Sequence, residues 1–164
     1  MTTYVTKFGA LDNFEKGTID IVDDDPKHYV FSNMFEVAST SKPWEKVAVA
    51  KNMEYVLEAI RAEGTSEWRT CAHDEFALVM DGEVTVELVK LDAPLVPADK
   101  SGSVRVSGEP TGRRMGHIVL SRGHQALLPA NAAYRFVSAR PGVILLQTIV
   151  GDDTVQRWAD ICLS

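Results

Sequence analysis

The stretch Glu75–Leu88 constrains this chain more than any other. Glu75-Phe76-Ala77-Leu78-Val79-Met80 runs into Asp81-Gly82, after which Val84, Val86 and Leu88 alternate with Glu83, Thr85 and Glu87. Alternation with a period of two is the pattern of a half-buried strand. Asp-Gly between two apolar runs predicts a tight hairpin, because glycine takes a positive φ without a Cβ clash. Glu75, placed ahead of such a turn, also sits where a small β-barrel could carry a metal-ligating carboxylate.

The rest of the β region repeats the theme. Ser66–Cys71, Ser103–Val106, Gly116–Leu120, Gln125–Leu128, Ala133–Ser138 and Val143–Val150 read as further short strands, separated by loops rich in Gly, Pro and Ser. Many short strands with frequent turn signals predict an all-β sandwich or closed barrel. Upstream, residues 1–45 read as an arm. It holds a strand over Gly17–Val22, an acidic turn at Asp23-Asp24-Asp25-Pro26 and an extended, aromatic-rich segment over His28–Val37. Ser41-Lys42-Pro43-Trp44-Glu45 carries the signals of a helix start, and Val47, Val49, Met53, Val56, Leu57 and Ile60 recur at roughly helical spacing up to Gly64. These signals predict one helix before the barrel. Asp152–Ile161 predicts a short C-terminal helix. The organisation expected is 1–63 as arm and helix of the same domain, 64–150 as barrel and 151–164 as tail.

Composition excludes several classes. The chain has 164 residues and a net charge of −6 with no basic block, which argues against nucleic-acid binding through phosphates. Its longest strongly apolar run, Val143–Leu146, is too short to cross a bilayer. No secretory signal is visible at the N-terminus. Cys71 and Cys162 form no CxxC, so a reduced, cytoplasmic chain is the expectation. No Ser lies in a Gly-x-Ser-x-Gly context, which leaves nucleophilic hydrolysis without support.

Two blocks carry a resemblance. Gly64–Gly82 is similar to the first motif of the cupin family, with Glu75 and Gly82 in register. Gly123-His124-Gln125-Ala126-Leu127-Leu128-Pro129-Ala130-Asn131-Ala132-Ala133-Tyr134 is similar to the second, with Asn131 in place of its last glycine. Asn tolerates the same left-handed turn geometry. The resemblance implies an all-β cupin-type small β-barrel, a jelly roll. A cupin metal centre takes three imidazoles and one carboxylate. Here only Glu75 matches. The first motif is one residue short, so its paired histidine positions fall on Trp68/Thr70, Arg69/Cys71 or Thr70/Ala72, and the third falls on Tyr134. None is a histidine, so no metal is expected in this chain. His73, two residues before Glu75, would share its face on a strand, as a ligand, a general base or a structural histidine near the barrel mouth. If Arg69 faces inward, its guanidinium would pair with Glu75 and fill the vacated site. Cys71 reads as a small buried hydrophobe.

The whole chain resembles the small subunit of the two-component hydroquinone 1,2-dioxygenases. The resemblance is carried by Tyr4–Gly9, Arg69–Val84, Gly116–Leu120 and Gly123–Pro129. It implies a non-catalytic small subunit paired with a larger cupin subunit, two copies of each. Fe(II) would sit in the large chain, where hydroquinone and O2 react to give 4-hydroxymuconic semialdehyde. Residues lent to a substrate pocket would come from Trp68, Arg69, His73, Glu75 and Tyr134, and Tyr29, Phe31, Phe35, Trp44 and Trp68 are candidates for the interface. Two rival classes are a stand-alone metal-independent cupin, isomerase-like, using His73 or Tyr134 as acid or base, and a regulatory cupin that binds a small molecule.

Overall fold

The structure is a computed structural model that describes residues 9–15, 23 and 33–161. The expected strand at Gly17–Val22, the segment 28–31, most of the acidic turn, Tyr4–Phe8 and Cys162 lie outside the described residues. In chain order the elements are α1 (Met34–Thr40), β1 (Lys46–Asn52), β2 (Tyr55–Thr65), β3 (Arg69–Thr70), β4 (Glu75–Asp81) and β5 (Glu83–Leu91). They continue with β6 (Val104–Arg105), β7 (Gly112–Ser121), β8 (Gln125–Leu128), β9 (Ala132–Ile149), β10 (Thr154–Val155) and α2 (Trp158–Ile161).

The all-β barrel expected is the architecture that forms: the ten strands join in one sheet curled on itself. Its spine is β9. Residues 132–137 of β9 pair with β5 and, at 133–134, with β3. Residues 142–149 pair with β2, and 143–147 also pair with β4. The two strands expected at 133–138 and 143–150 are therefore one 18-residue strand. Inside the curl pack Val79, Val84, Val86, Leu120, Leu128, Phe136, Ile144 and Leu146. Full burial of such a side chain contributes roughly 1.5–3 kcal/mol, so this cluster dominates the fold's stability.

Asp81-Gly82 makes the expected tight turn but not a hairpin. β4 pairs with β8 and β9, β5 pairs with β7 and β9, and the two do not pair with each other. The turn is a corner between the two halves of the curl. Gly82 has φ +77°, and a Cβ there would lie 3.0 Å from the Cα of Gly142, where β9 bends. The Asp81 carboxylate accepts from the Gly82 amide, the Leu11 amide and Arg122, which pins the corner.

The helix expected between Ser41 and Gly64 is overturned. That segment is an antiparallel hairpin, β1 against β2, with Asn52 opposite Tyr55 and Met53 at φ +56° in the turn. The apolar residues that mimic helical spacing are mostly β-branched. Val47 and Val49 are an alternating pair, and most of β1 is buried, so its pattern carries little face information. Ser41 is not an N-cap. It closes α1, its hydroxyl donating to the Val37 carbonyl and its amide to Ala38. Gly64, at φ +79°, marks a register shift between β2 and β9 rather than a helix end. The one preceding helix instead falls at Met34–Thr40, within a segment expected to be extended. Asn33 caps it by accepting from the amides of Phe35 and Glu36. The expected C-terminal helix shortens to Trp158–Ile161 because Thr154–Val155 pairs in parallel with β1.

Candidate functional site

Glu75 opens β4 with its side chain inside the barrel and no solvent exposure. Both of its oxygens are held. Tyr134, on β9, donates its hydroxyl to Oε2 at 2.6 Å. Thr148, near the other end of the same strand, donates to Oε1 at 2.6 Å. The bend of β9 brings these two hydroxyls to one carboxylate. Burial first, then the charge and hydrogen bond of Glu75, push the Tyr134 phenol well above its usual range; a hydrogen bond with Ser103 and the charge of Arg69 oppose this. Tyr134 therefore stays a proton donor.

Next to this triad is a second polar group. Lys46 of β1 is buried, donates to Ser103 Oγ at 3.0 Å and lies 3.1 Å from Glu58 Oε2. Glu58 Oε1 accepts from Thr154 at 2.6 Å. Arg69 faces inward but does not pair with Glu75. Its Nη2 lies 2.9 Å from Asp153 and its Nη1 donates to Ser103 at 3.2 Å. The expected Arg69–Glu75 pair is overturned because the C-terminal turn brings Asp153 over the barrel mouth, while two hydroxyls already satisfy Glu75. The cost of burying Glu75 is set against two strong hydrogen bonds.

Above this network is a cleft of about 560 Å³ lined by Trp44, Lys46, Ser66, Arg69, Arg105 and Asp153 among others. Below it is a cavity of about 20 Å³ between Trp44, Arg69, Tyr134 and Phe136. The lower one has room for about one water molecule. Trp44 stacks on Phe136, centroids 6.1 Å apart.

Of the residues singled out from sequence, Arg69, Glu75 and Tyr134 come together. Trp68 does not join them. It packs with Val89, Leu91 and Ala133, donates its indole N–H to Glu109 at 3.1 Å, and lies beneath the Arg135 guanidinium. Nor does His73. β4 starts at Glu75, so His73 sits in the preceding loop with Nδ1 3.0 Å from the Asp74 carbonyl oxygen, and the strand alternation that would align it with Glu75 does not apply. Cys71 is a free, buried thiol. Burial, then the charge of Glu75, push it up to about 11. His117 and His124 lie on the surface. Sequence reasoning missed Lys46, Ser103, Thr148 and Asp153. A lone lysine heading the apolar run Val47-Ala48-Val49 was the available signal for the first; Ser103 and Asp153 offered none.

The donor set does not fit the metal centre that cupin barrels imply. Among the described residues no three His, Cys, Asp or Glu groups are placed to hold an ion. The motif position that would supply the third imidazole carries a phenol, Tyr134, whose hydroxyl is spent on Glu75.

No family model and no curated protein matches the chain. Solved structures do. One chain of hydroquinone 1,2-dioxygenase PnpCD, solved with Cd2+ and 4-hydroxybenzonitrile, is 55% identical over 100% of this chain and 99% of that one, with a TM-score of 0.91. This chain belongs to the hydroquinone 1,2-dioxygenase family. The enzyme from Sphingomonas sp. TTNP3, with 4-hydroxybenzoate bound, is also 55% identical, over 99% of both chains, with a TM-score of 0.92. A PnpCD structure with Fe3+ holds a longer chain that is 10% identical, of which this chain covers only 38%, with a TM-score of 0.59 over 84% of this chain. The longer chain shares the fold alone, and this protein corresponds to the shorter.

Proposed function

We propose that this chain is the non-catalytic small subunit of a hydroquinone 1,2-dioxygenase and works in the cytoplasm with a larger cupin chain that holds Fe(II). The carrying observation is the end-to-end match to the shorter of two unlike chains in that enzyme. The interior supports the same reading. The carboxylate that the cupin motif would give to a metal, Glu75, is instead bound by Tyr134 and Thr148. The iron of the large chain would supply the oxygen chemistry, hydroquinone and O2 combining there to give 4-hydroxymuconic semialdehyde with both oxygen atoms in the product. In two-and-two assembly, this chain braces the large one. Glu75 and Tyr134 lie too deep to touch a substrate on another chain. Arg69, lining the cleft, is the best placed of the candidate pocket residues to contribute.

Co-expression with the large chain, followed by metal analysis of each chain and oxygen uptake with hydroquinone, tests this. The expected result is stoichiometric iron in the complex, none in this chain alone, and ring cleavage only by the complex. Ring cleavage or isomerisation by this chain alone would sink the reading. Tight binding of a metabolite by the lone chain without turnover would favour a regulatory cupin.

A further inference from the structure

The strand β7 is built for an interface rather than for solvent. Of its ten residues, only Leu120 is buried. Met115, Ile118 and Val119 are 48%, 39% and 49% exposed. Ile118 lies opposite Val86 and Val119 opposite Thr85, so both faces of the strand present apolar side chains to water. Among the described residues β7 pairs with β5 alone, which leaves its outer backbone edge unpaired. Long apolar edges are normally blunted by charge or bulges. Here Arg113, Arg114 and the register shift beyond Leu88 protect the first part. The stretch Gly116-His117-Ile118-Val119-Leu120 has neither a lysine, an arginine nor a bulge.

Resting on the small-subunit reading, we infer that β7 is the docking edge for the large chain, pairing antiparallel with an edge strand of that chain's own cupin barrel. One observation selects this occupant. The larger chain repeats this fold over 84% of the present chain, so a barrel of the same kind, with sheet edges of its own, is available to meet it. A second copy of this chain is the other occupant, and the test separates the two.

The test uses the co-expressed complex. Ile118→Lys/Val119→Lys should lower recovery of the large chain at least tenfold, while Met53→Asp, at an exposed turn on another strand pair, should leave it unchanged. Unaltered thermal melting and circular dichroism of the lone double variant would establish that it folds. Hydrogen exchange gives an independent readout that needs no variant: outer-edge amides of 116–120 should slow at least tenfold when the large chain binds. If the wild-type chain recovers no large chain, the small-subunit reading fails. If the wild type does recover it and the double variant does so equally, or the β7 amides exchange at the same rate in both states, the docking edge alone is wrong. Protection of those amides already present in the lone chain would also overturn it, because the edge would then be covered by this chain itself or a second copy.

Discussion

At the level of single residues, the interior of this barrel is decided by hydroxyls. A buried carboxylate is unfavourable unless each oxygen is satisfied, and Glu75 is satisfied by Tyr134 and Thr148 rather than by a cation. Tyr134→Phe removes one of those two donors without changing volume much. It should destabilise the chain by about 1.5–3 kcal/mol in urea unfolding, the usual range for a hydrogen bond to a charged group. A change below about 0.5 kcal/mol would show that Thr148 alone suffices. Lys46 and Glu58 are the buried ion pair, 4% and 0% exposed. Lys46→Met leaves a buried carboxylate unpaired and should cost about 3–5 kcal/mol, with most of it recovered in Lys46→Met/Glu58→Leu. If the double variant is no more stable than the single, the pair is not what holds these residues. Glu75 was legible in the sequence because a barrel motif surrounds it. Thr148 was not: a threonine ending an apolar strand reads as β propensity, and only the bend of β9 turns it onto the carboxylate.

At the level of elements, turn chemistry is local and strand pairing is not. Gly82 and Gly123 both take positive φ, +77° and +85°, but a Cβ at Gly123 meets nothing within 4 Å whereas one at Gly82 meets Gly142 at 3.0 Å. Gly123→Ala should cost only the left-handed strain, about 1–2 kcal/mol. Gly82→Ala should cost visibly more in the same thermal or urea unfolding assay, because the corner and the β9 bend must also separate. Equal costs would mean that the contact relaxes freely. The β1–β2 hairpin supplies the converse case. Met53, 87% exposed at φ +56°, is strained for a side chain with no compensating contact in view. Met53→Gly should stabilise by up to about 1 kcal/mol, the relief of strain exceeding the added freedom of the unfolded chain. This hairpin was read as a helix because β-branched residues buried on both faces lose the period-two signature, leaving spacings that a helix also satisfies.

At the level of the whole molecule, titration sets the pH range of stability. Cys71 ionises near 9.0 when unfolded and is pushed to about 11 by burial in the fold. Tyr134 ionises near 10.0 when unfolded and well above that in the fold. In each case the native state keeps a proton that the unfolded chain has released. Stability is therefore full below pH ~9 and falls as pH rises through these values, by up to ~1.4 kcal/mol per pH unit per group. Asp81 and Asp153 behave in the opposite sense. Burial opposes their ionisation, but hydrogen bonds from Leu11, Arg122 and Gly82 to the first, and Arg69 to the second, hold both below the ordinary 3.8. Their contribution is present above that value and is lost as pH falls through the folded one. Urea midpoints against pH should show a plateau with decline at both ends, and Cys71→Ala should remove the part of the alkaline decline that begins near 9. An alkaline limb unchanged in that variant would mean Cys71 is not shielded.

The amino-acid sequence by itself determined the β-rich class, the tight turn at Asp81-Gly82, the strand β8 to the residue, and the family, because these rest on alternation, positive-φ turn residues and motif spacing, all local in the chain. The tertiary structure alone decided which strands pair across Asp81-Gly82, that Lys46–Thr65 is a hairpin and not a helix, and that Arg69 serves Asp153 while Tyr134 and Thr148 share Glu75. The hairpin was hidden because burial on both faces erased its alternation; for the strand pairing and for Glu75 the reason is different. One long strand, β9, bends across the barrel and offers hydrogen-bonding edges and hydroxyls to segments as many as 73 residues away, and no local pattern records a partner at that distance.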